Sequence, residues 1–442
     1  MSAAEGTRSV PHRRPWVRHI TPKTLAAVLL LAVSAGALAA VFRLVPLSMS
    51  DIAVYRAEGE AAATGGDLYG FTVTEWKLPA TYPPFAALLF IPTTWLPLGA
   101  LKVASVLVNV ALIPVLLHLS YKAAYTTGAG VPGGAARLGA ARTLPAVLAA
   151  TALAVWLEPV FQTLVFGQVN LALTCLVLWD LARPDDARLK GFALGIATGI
   201  KLTPAVFAVY LLITGRVRAA CTALAGFAVS VLLGLLVLPG ASVEFWTRRM
   251  FETGRVGKAW IVDNQSVQGL LARVLHTPEP GLLWAAVALV TGMAGLFVAR
   301  RVYLRRGLDS WGVLCTAVTA LLVSPISWSH HWVWCVPLLV ALGAHTHGVR
   351  WRRVLLAAVA VVFTARTMWV IPHQGDRDLH LSWWEQLPAA PYPVLGLALL
   401  AALAWWSRRV PAGPPAALAR RPFPLPRAAR PARELSTRIP ER

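Results

Sequence analysis

Acidic side chains are scarce in this chain: 20 Asp and Glu stand against 41 Lys and Arg in 442 residues, and charged residues of both signs make up only 14%. With 57% hydrophobic residues and a mean hydropathy of +0.61, that shortage of charge excludes a soluble globular protein and indicates a polytopic membrane protein. In a soluble chain the net charge of +21 would point to nucleic acid. Here much of it lies at the two ends and in short connections between apolar segments, where it anchors and orients a chain in an anionic-lipid membrane. No nucleic-acid partner is expected. Cysteine is also rare. Cys175, Cys221, Cys315 and Cys335 lie in or at the edge of apolar runs at spacings that match no metal motif, so buried, unpaired thiols are expected and neither a metal nor a cofactor is. No soluble domain and no internal repeat is discernible. Tryptophan, by contrast, is abundant, with 18 residues that cluster near segment ends, as at Trp328, Trp332, Trp334 and Trp383-Trp384, the pattern of interfacial belts.

Basic residues set the expected topology. Residues 1–22 form a basic N-terminal stretch expected in the cytoplasm, and the apolar run from Thr24 to Phe42 is long enough for an uncleaved anchor rather than a signal peptide. Asp51 is therefore outside. Asp51, Tyr55 and Glu58 fall at i, i+4 and i+7, so a helix beginning at Ser50 aligns them on one face; the alternative is that Ser50 or Asp51 merely caps that helix. The element from Tyr82 to Pro92 is pinned by prolines and too short to cross, so it dips into the outer leaflet before a span over about residues 100–120. The Gly-rich, basic connection 122–142 belongs inside, and two apolar runs flank Gly167-Gln168-Val169-Asn170 on the outer side.

The run from Leu189 to Thr214 is interrupted by Gly199-Ile200-Lys201-Leu202-Thr203-Pro204 and is basic at both ends, with Lys190 before it and Arg216 and Arg218 after it. A single span would put one basic end outside. Two half-length helices meeting near Lys201 keep both inside, and broken helices are tolerated at membrane depth where they line a cavity. The pattern predicts a hairpin with Lys201 at its apex, facing an outer cavity. An outer loop over 240–280 carries Arg248, Arg249 and Arg255, nearly balanced by Glu244, Glu252, Asp263 and Glu279. The tail 408–442 is rich in Pro, Ala and Arg and is expected to be disordered and cytoplasmic. The fold class expected for residues 23–407 is all-α: a polytopic transmembrane helical bundle of about 10–12 membrane helices, ten or so of them full spans and the others short or broken.

Topology counted from basic residues alone brings Asp51, Tyr82, Gln168, Asn170, Lys201, Asn264, Gln265, His330 and His331 to one face of the membrane. Such a set suits a single extracytoplasmic site, while each member has a structural alternative: a snorkelling lysine, or amides that satisfy loop backbone. His330 and His331 are adjacent, so on a helix they point about 100° apart and cannot share an ion. One imidazole aimed at a phosphate or a sugar hydroxyl is the functional reading, and an interfacial histidine beside Trp332 is the structural one. Asp51 has no acidic partner at its second neighbour, Ala53, which leaves little support for a metal-dependent nucleotide-sugar mechanism.

Asp51 with Val54-Tyr55, Tyr82-Pro83-Pro84-Phe85, Gly167-Gln168-Val169-Asn170, Gly199-Ile200-Lys201-Leu202-Thr203-Pro204, Asn264-Gln265-Ser266 and Ser324-Pro325-Ile326-Ser327-Trp328-Ser329-His330-His331-Trp332 together resemble glycosyltransferase family 87, integral-membrane mannosyltransferases of the C-type architecture. The likeness runs in order over about residues 23–405. It implies transfer of mannose from polyprenyl-phosphate-mannose to a glycolipid or polysaccharide acceptor at the outer face of the plasma membrane, with an α-1,2 bond formed by inversion. Asp51 matches the family's catalytic base. Lys201, His330, His331, Arg248 and Arg255 are then the candidates for the donor phosphate, and Tyr55, Glu58, Tyr82, Gln168, Asn170, Asn264 and Gln265 for substrate. Which histidine acts and which acceptor is used stay open. A transporter or flippase of a lipid-linked sugar, using the same cavity without chemistry, is the alternative.

Overall fold

A computed structural model describes residues 21–45, 48–126, 140–344 and 349–409. The basic N-terminus, most of the 122–142 connection and nearly all of the tail lie outside the described residues. The chain is built from helices: α1 (Pro22–Leu44), α2 (Ser50–Thr64), α3 (Pro84–Phe90), α4 (Leu98–Thr126), α5 (Ala140–Ala154), α6 (Glu158–Phe166) and α7 (Asn170–Leu181) come first. Next are α8 (Phe192–Ile200), α9 (Ala205–Ile213), α10 (Val217–Val237), α11 (Pro239–Thr247), α12 (Val267–Val274) and α13 (Gly281–Arg306). The last are α14 (Asp309–Val323), α15 (Cys335–Ala344), α16 (Arg350–Thr364), α17 (Thr367–Val370), α18 (Gln386–Ala389) and α19 (Pro391–Arg409). One two-residue ladder, Thr72–Val73 against Leu78–Pro79, interrupts them.

The all-α membrane fold is the expected one, but among the described residues full-length spans are fewer than ten. Among the described residues five helical stretches are long and apolar enough to cross: Pro22–Leu44, Leu98–Ala124, Val217–Val237, Gly281–Arg306 and Arg350–Val370. A sixth arises if the pair Leu144–Ala154 and Glu158–Phe166, bent by 69°, counts as one. Several apolar runs that read as spans are cut into shorter pieces. Pro159 in the first turn of α6 cannot continue α5, and Lys201, in extended conformation (φ −147°, ψ 129°), ends α8 before Pro204 opens α9. Helix α14 is buried on nearly every side and forms the centre against which α13, α9 and α19 pack. All four cysteines are free; Cys175, Cys315 and Cys335 are buried as expected, whereas Cys221 is exposed on α10.

The predicted hairpin is present, and glycine spacing explains it. Gly191, Gly195 and Gly199 recur every four residues along α8, and a Cβ on each would meet Ala219 O, Ala223 O and Ser230 Oγ of α10 at 2.0, 2.1 and 1.9 Å. Small residues at this period let the two backbones touch, with α8 running parallel to α10. Helix α9 then returns to Gly215, in a left-handed conformation (φ +80°), and α10 starts at once. Both feet of the hairpin therefore lie beside the start of α10, where Arg218 also donates to the carbonyls of Asp185 and Ala187. Each arm has nine residues, about 14 Å or half a hydrocarbon core, so the pair enters and leaves on one side. The far foot is locked by Arg216, which donates twice to the Asp309 carboxylate of α14 (2.8 and 3.0 Å), and by the Tyr210 hydroxyl (2.6 Å).

Candidate active site

Asp51 sits in the first turn of α2, but neither it nor Ser50 caps the helix. The N-cap is Met49, in left-handed conformation (φ 45°), and no side chain caps there. The Met49 N–H donates to Val165 O (3.0 Å), which ties the start of α2 to α6. Free of a capping role, the half-buried Asp51 carboxylate lines a cavity with about 1150 Å³ of empty space. Burial pushes its pKa up to about 6, although the neighbouring Gln168 side chain and the charge of Lys201 both favour the anion. Desolvation wins because α2 places the carboxylate among Tyr55, Tyr82 and apolar walls.

Two further elements bring the remaining groups. The α8–α9 apex delivers Lys201, whose Nζ donates to Asn170 Oδ1 (3.1 Å) and meets His331 Nε2 at 3.0 Å, with the Tyr82 ring 5.5 Å away. An ammonium can only donate, so Nε2 is the acceptor and the His331 proton sits on Nδ1. Burial and the neighbouring ammonium keep that imidazole neutral, well below its ordinary pKa. Asn170 Nδ2 donates in turn to His330 O (3.1 Å), fixing the histidine loop to the start of α7. On the aromatic wall the Tyr55 hydroxyl donates to Gln168 Oε1 (2.8 Å) and lies 2.9 Å from the Tyr82 hydroxyl, with Tyr55 stacked on Phe90 at 4.4 Å.

The structure separates the sequence-predicted residues into two groups. Asp51, Tyr55, Tyr82, Gln168, Lys201, Arg255 and His331 line the main cavity, and Asn170 joins Lys201 and His331 in a smaller adjoining one. Five others do other things. His330 is buried behind the site, its ring edge-on to Phe166 at 5.3 Å and neither nitrogen hydrogen-bonded, so the cavity takes His331 and not its neighbour. Asn264 holds loop backbone through the carbonyls of Ala259 and Pro325 and the amides of Ser266 and Ser327. Gln265 does the same through Val262 O, Ala389 O and the Tyr392 amide. Glu58, with its pKa raised to about 8 by burial, accepts from the Thr81 amide (3.0 Å) and braces the segment that carries Tyr82. Arg248 is exposed and paired with Glu252 (2.7 Å).

Glu252, Thr253 and Trp328 line the cavity without having been among the sequence's site residues, beside Arg249 of the basic loop. Arg249 is tied to Glu244 (2.7 Å) and Glu252 (3.1 Å), so the cation least compensated by acids on that wall is Arg255, which stacks over Tyr69 at 5.6 Å and donates to Ala80 O. Trp328 carried a signal that belonged to two readings, since tryptophans near segment ends are commonest as interfacial anchors. The Gly257 backbone (φ +148°) makes room for the Trp328 ring: a Cβ there would lie 2.8 Å from it.

The profile of glycosyltransferase family 87 matches residues 80–325, which hold the hairpin, Gln168, Lys201 and the arginine loop. The chain belongs to glycosyltransferase family 87. A polyprenol-phosphate-mannose-dependent alpha-(1-2)-phosphatidylinositol mannoside mannosyltransferase of Mycobacterium tuberculosis is 37% identical over 362 residues, 79% of this chain and 83% of the relative. Its counterpart in Mycolicibacterium smegmatis is 34% identical over 365 residues, 77% and 80% of the two chains. A polyprenol-phosphate-mannose-dependent alpha-(1-2)-phosphatidylinositol pentamannoside mannosyltransferase of M. tuberculosis is 33% identical over 379 residues, 82% and 84%. Among solved structures, ArnT from Cupriavidus metallidurans bound to undecaprenyl phosphate aligns over 87% of this chain and 76% of its own at 17% identity, with a TM-score of 0.35. This family 87 chain is thus a multi-pass membrane glycosyltransferase.

Proposed function

We propose that this protein transfers mannose from polyprenyl-phosphate-mannose to a mannosylated acceptor, forming an α-1,2 linkage with inversion. A phosphatidylinositol mannoside is the acceptor that the relatives' names favour. The observation that carries the mechanism is that the Asp51 carboxylate and the Lys201 ammonium, with the neutral His331 imidazole bonded to it, face the same cavity. In a single displacement the acceptor hydroxyl oxygen attacks the anomeric carbon, its proton passes to Asp51, and the bond from that carbon to the phosphate oxygen breaks. The polyprenyl phosphate leaves as an anion and needs no proton. Lys201 and the Nδ1–H of His331 are donors for it, the charge-assisted contacts such a leaving group requires. Arg255 is a third.

The carrier's chain has a route as well. Helices α1, α4 and α5 enclose an apolar groove with about 1130 Å³ of empty space; Leu38, Phe42, Val106 and Val110 line it and Met49 closes it two residues before Asp51. We place the site at the outer face of the plasma membrane and both termini in the cytoplasm, because the basic residues flank the opposite ends of the helices. The test is transfer by purified protein from labelled polyprenyl-phosphate-mannose to phosphatidylinositol mannosides. Wild type should transfer, and Asp51→Asn should insert normally and transfer at least about a thousandfold more slowly. Near-normal turnover by Asp51→Asn, or binding of the lipid-linked sugar without transfer by wild type, would overturn the assignment, the latter in favour of a transporter.

A further inference from the structure

We infer that Asn264 is the positioning residue of His331: it fixes the register of the loop that carries this histidine and so sets the imidazole against Lys201. This rests on the proposed reading of Lys201 and His331 as the groups that receive the donor phosphate. Asn264 is fully buried, and its side chain is spent on two pieces of backbone. Its Nδ2 donates to Ala259 O (2.7 Å) on its own loop and to Pro325 O (3.0 Å) on the histidine loop. Its Oδ1 accepts from the Ser266 amide (3.2 Å) on its own loop and from the Ser327 amide (2.9 Å) on the other. A side-chain amide has two N–H donors and one oxygen with two lone pairs, so these bonds use its whole capacity. Nothing is left over for a sugar hydroxyl.

The residues beside Asn264 extend the clasp. The Gln265 amide donates to Ser327 O (2.8 Å), the Ser329 amide donates to Asp263 Oδ1 (3.0 Å) and the Ser266 hydroxyl donates to Pro325 O (3.2 Å). Residues 263–266 thus grip Pro325, Ser327 and Ser329, alternate positions along the facing segment, as paired strands do, and Asn264 and Trp328 form an antiparallel bridge. His331 follows directly. Its amide donates to Trp328 O (2.8 Å) within the 3₁₀ turn Ser329–Trp334, and its Nε2 lies 3.0 Å from Lys201 Nζ. Asn170 holds the far side of that turn through His330 O (3.1 Å), and the clasp holds the near side. Hydrogen bonds weaken steeply when donor and acceptor separate or tilt. A displacement of about 1 Å in this turn therefore breaks the contact of His331 with Lys201 and turns the Nδ1–H away from the phosphate, a loss that reaches about a hundredfold in rate.

The experiment is a double-mutant cycle on kcat for mannose transfer from labelled polyprenyl-phosphate-mannose. Wild type, Asn264→Ala, His331→Ala and the double variant are compared in proteoliposomes, each below its melting temperature. We expect kcat to fall by about thirtyfold in Asn264→Ala and by about a hundredfold in His331→Ala. The double variant should stay within about threefold of His331→Ala, because without the imidazole there is nothing left to position. Losses that multiply would make Asn264 a part of the fold that acts independently of His331 and overturn the inference. So would a normal kcat in Asn264→Ala, or a rise of about tenfold in acceptor KM with kcat unchanged, which would return Asn264 to substrate binding. Should Asn264→Ala not fold, Asp263→Ala takes its place in the same cycle, since it removes a single bond to the Ser329 amide. Near-normal kcat in His331→Ala marks failure of the underlying reading and takes the inference with it; multiplying losses with His331→Ala impaired overturn the inference alone.

Discussion

At the scale of single residues, the proposed mechanism depends on a carboxylate that must be charged to act yet is buried enough to resist charging. A base accepts a proton only when ionised, so with a pKa of about 6 for Asp51 transfer should fall as pH drops through about 6, roughly tenfold per unit below it, while chemistry limits the rate. A pH–rate profile on proteoliposomes checks this; a limb near pH 4 would mean that the carboxylate is solvated during turnover. Lys201→Met removes the central cation and the partner of His331, and an expected loss of about a hundredfold or more in kcat, against a smaller effect for His330→Ala, separates the cavity-lining groups from the buried neighbour. That Asp51 and Lys201 share one cavity could be read from sequence because charge is so unusual beside long apolar runs. Asn264, Gln265 and His330 were gathered with them by the same logic. A polar residue at membrane depth looks alike whether it faces a cavity or satisfies a carbonyl, and only the folded arrangement distinguishes the two.

At the scale of elements, the hairpin α8–α9 carries the lysine and α2 carries the proposed base, and each is set by contacts that small residues permit. Gly195→Val would drive a side chain into the Ala223 carbonyl, so α8 should separate from α10; a lower melting temperature in detergent together with loss of transfer is expected. Arg216→Ala would leave the Asp309 carboxylate buried without its bidentate partner, and destabilisation of about 3–5 kcal/mol should appear in the same melting assay. The hairpin was legible because its two ends are basic and its centre is Gly- and Pro-rich. The smaller number of full spans was not. A run of apolar residues gives the same signal in a 25-residue helix and in two halves bent by 69°, because hydropathy records composition and not direction.

At the scale of the whole molecule, five long apolar helices among the described residues stand with half-length helices, of which α8 and α9 meet at Lys201 beside the cavity. The proposed orientation predicts that a cysteine introduced at Gly215, in an otherwise cysteine-free variant, reacts with a membrane-impermeant thiol reagent only from the cytoplasmic side; labelling from outside would reverse the topology. The hairpin also constrains the order in which the protein can be made. In the proposed topology Lys201 enters the membrane on arms too short to insert as spans, and a lysine at that depth costs about 2.5–3.5 kcal/mol during insertion. Its partner Asn170 is synthesised before it, but His331 lies 130 residues downstream. Until that loop arrives the lysine lacks one of its two hydrogen-bond partners, so the cavity is completed only after most of the chain has left the ribosome. Truncated or stalled chains therefore carry an incomplete cavity and no transferase activity.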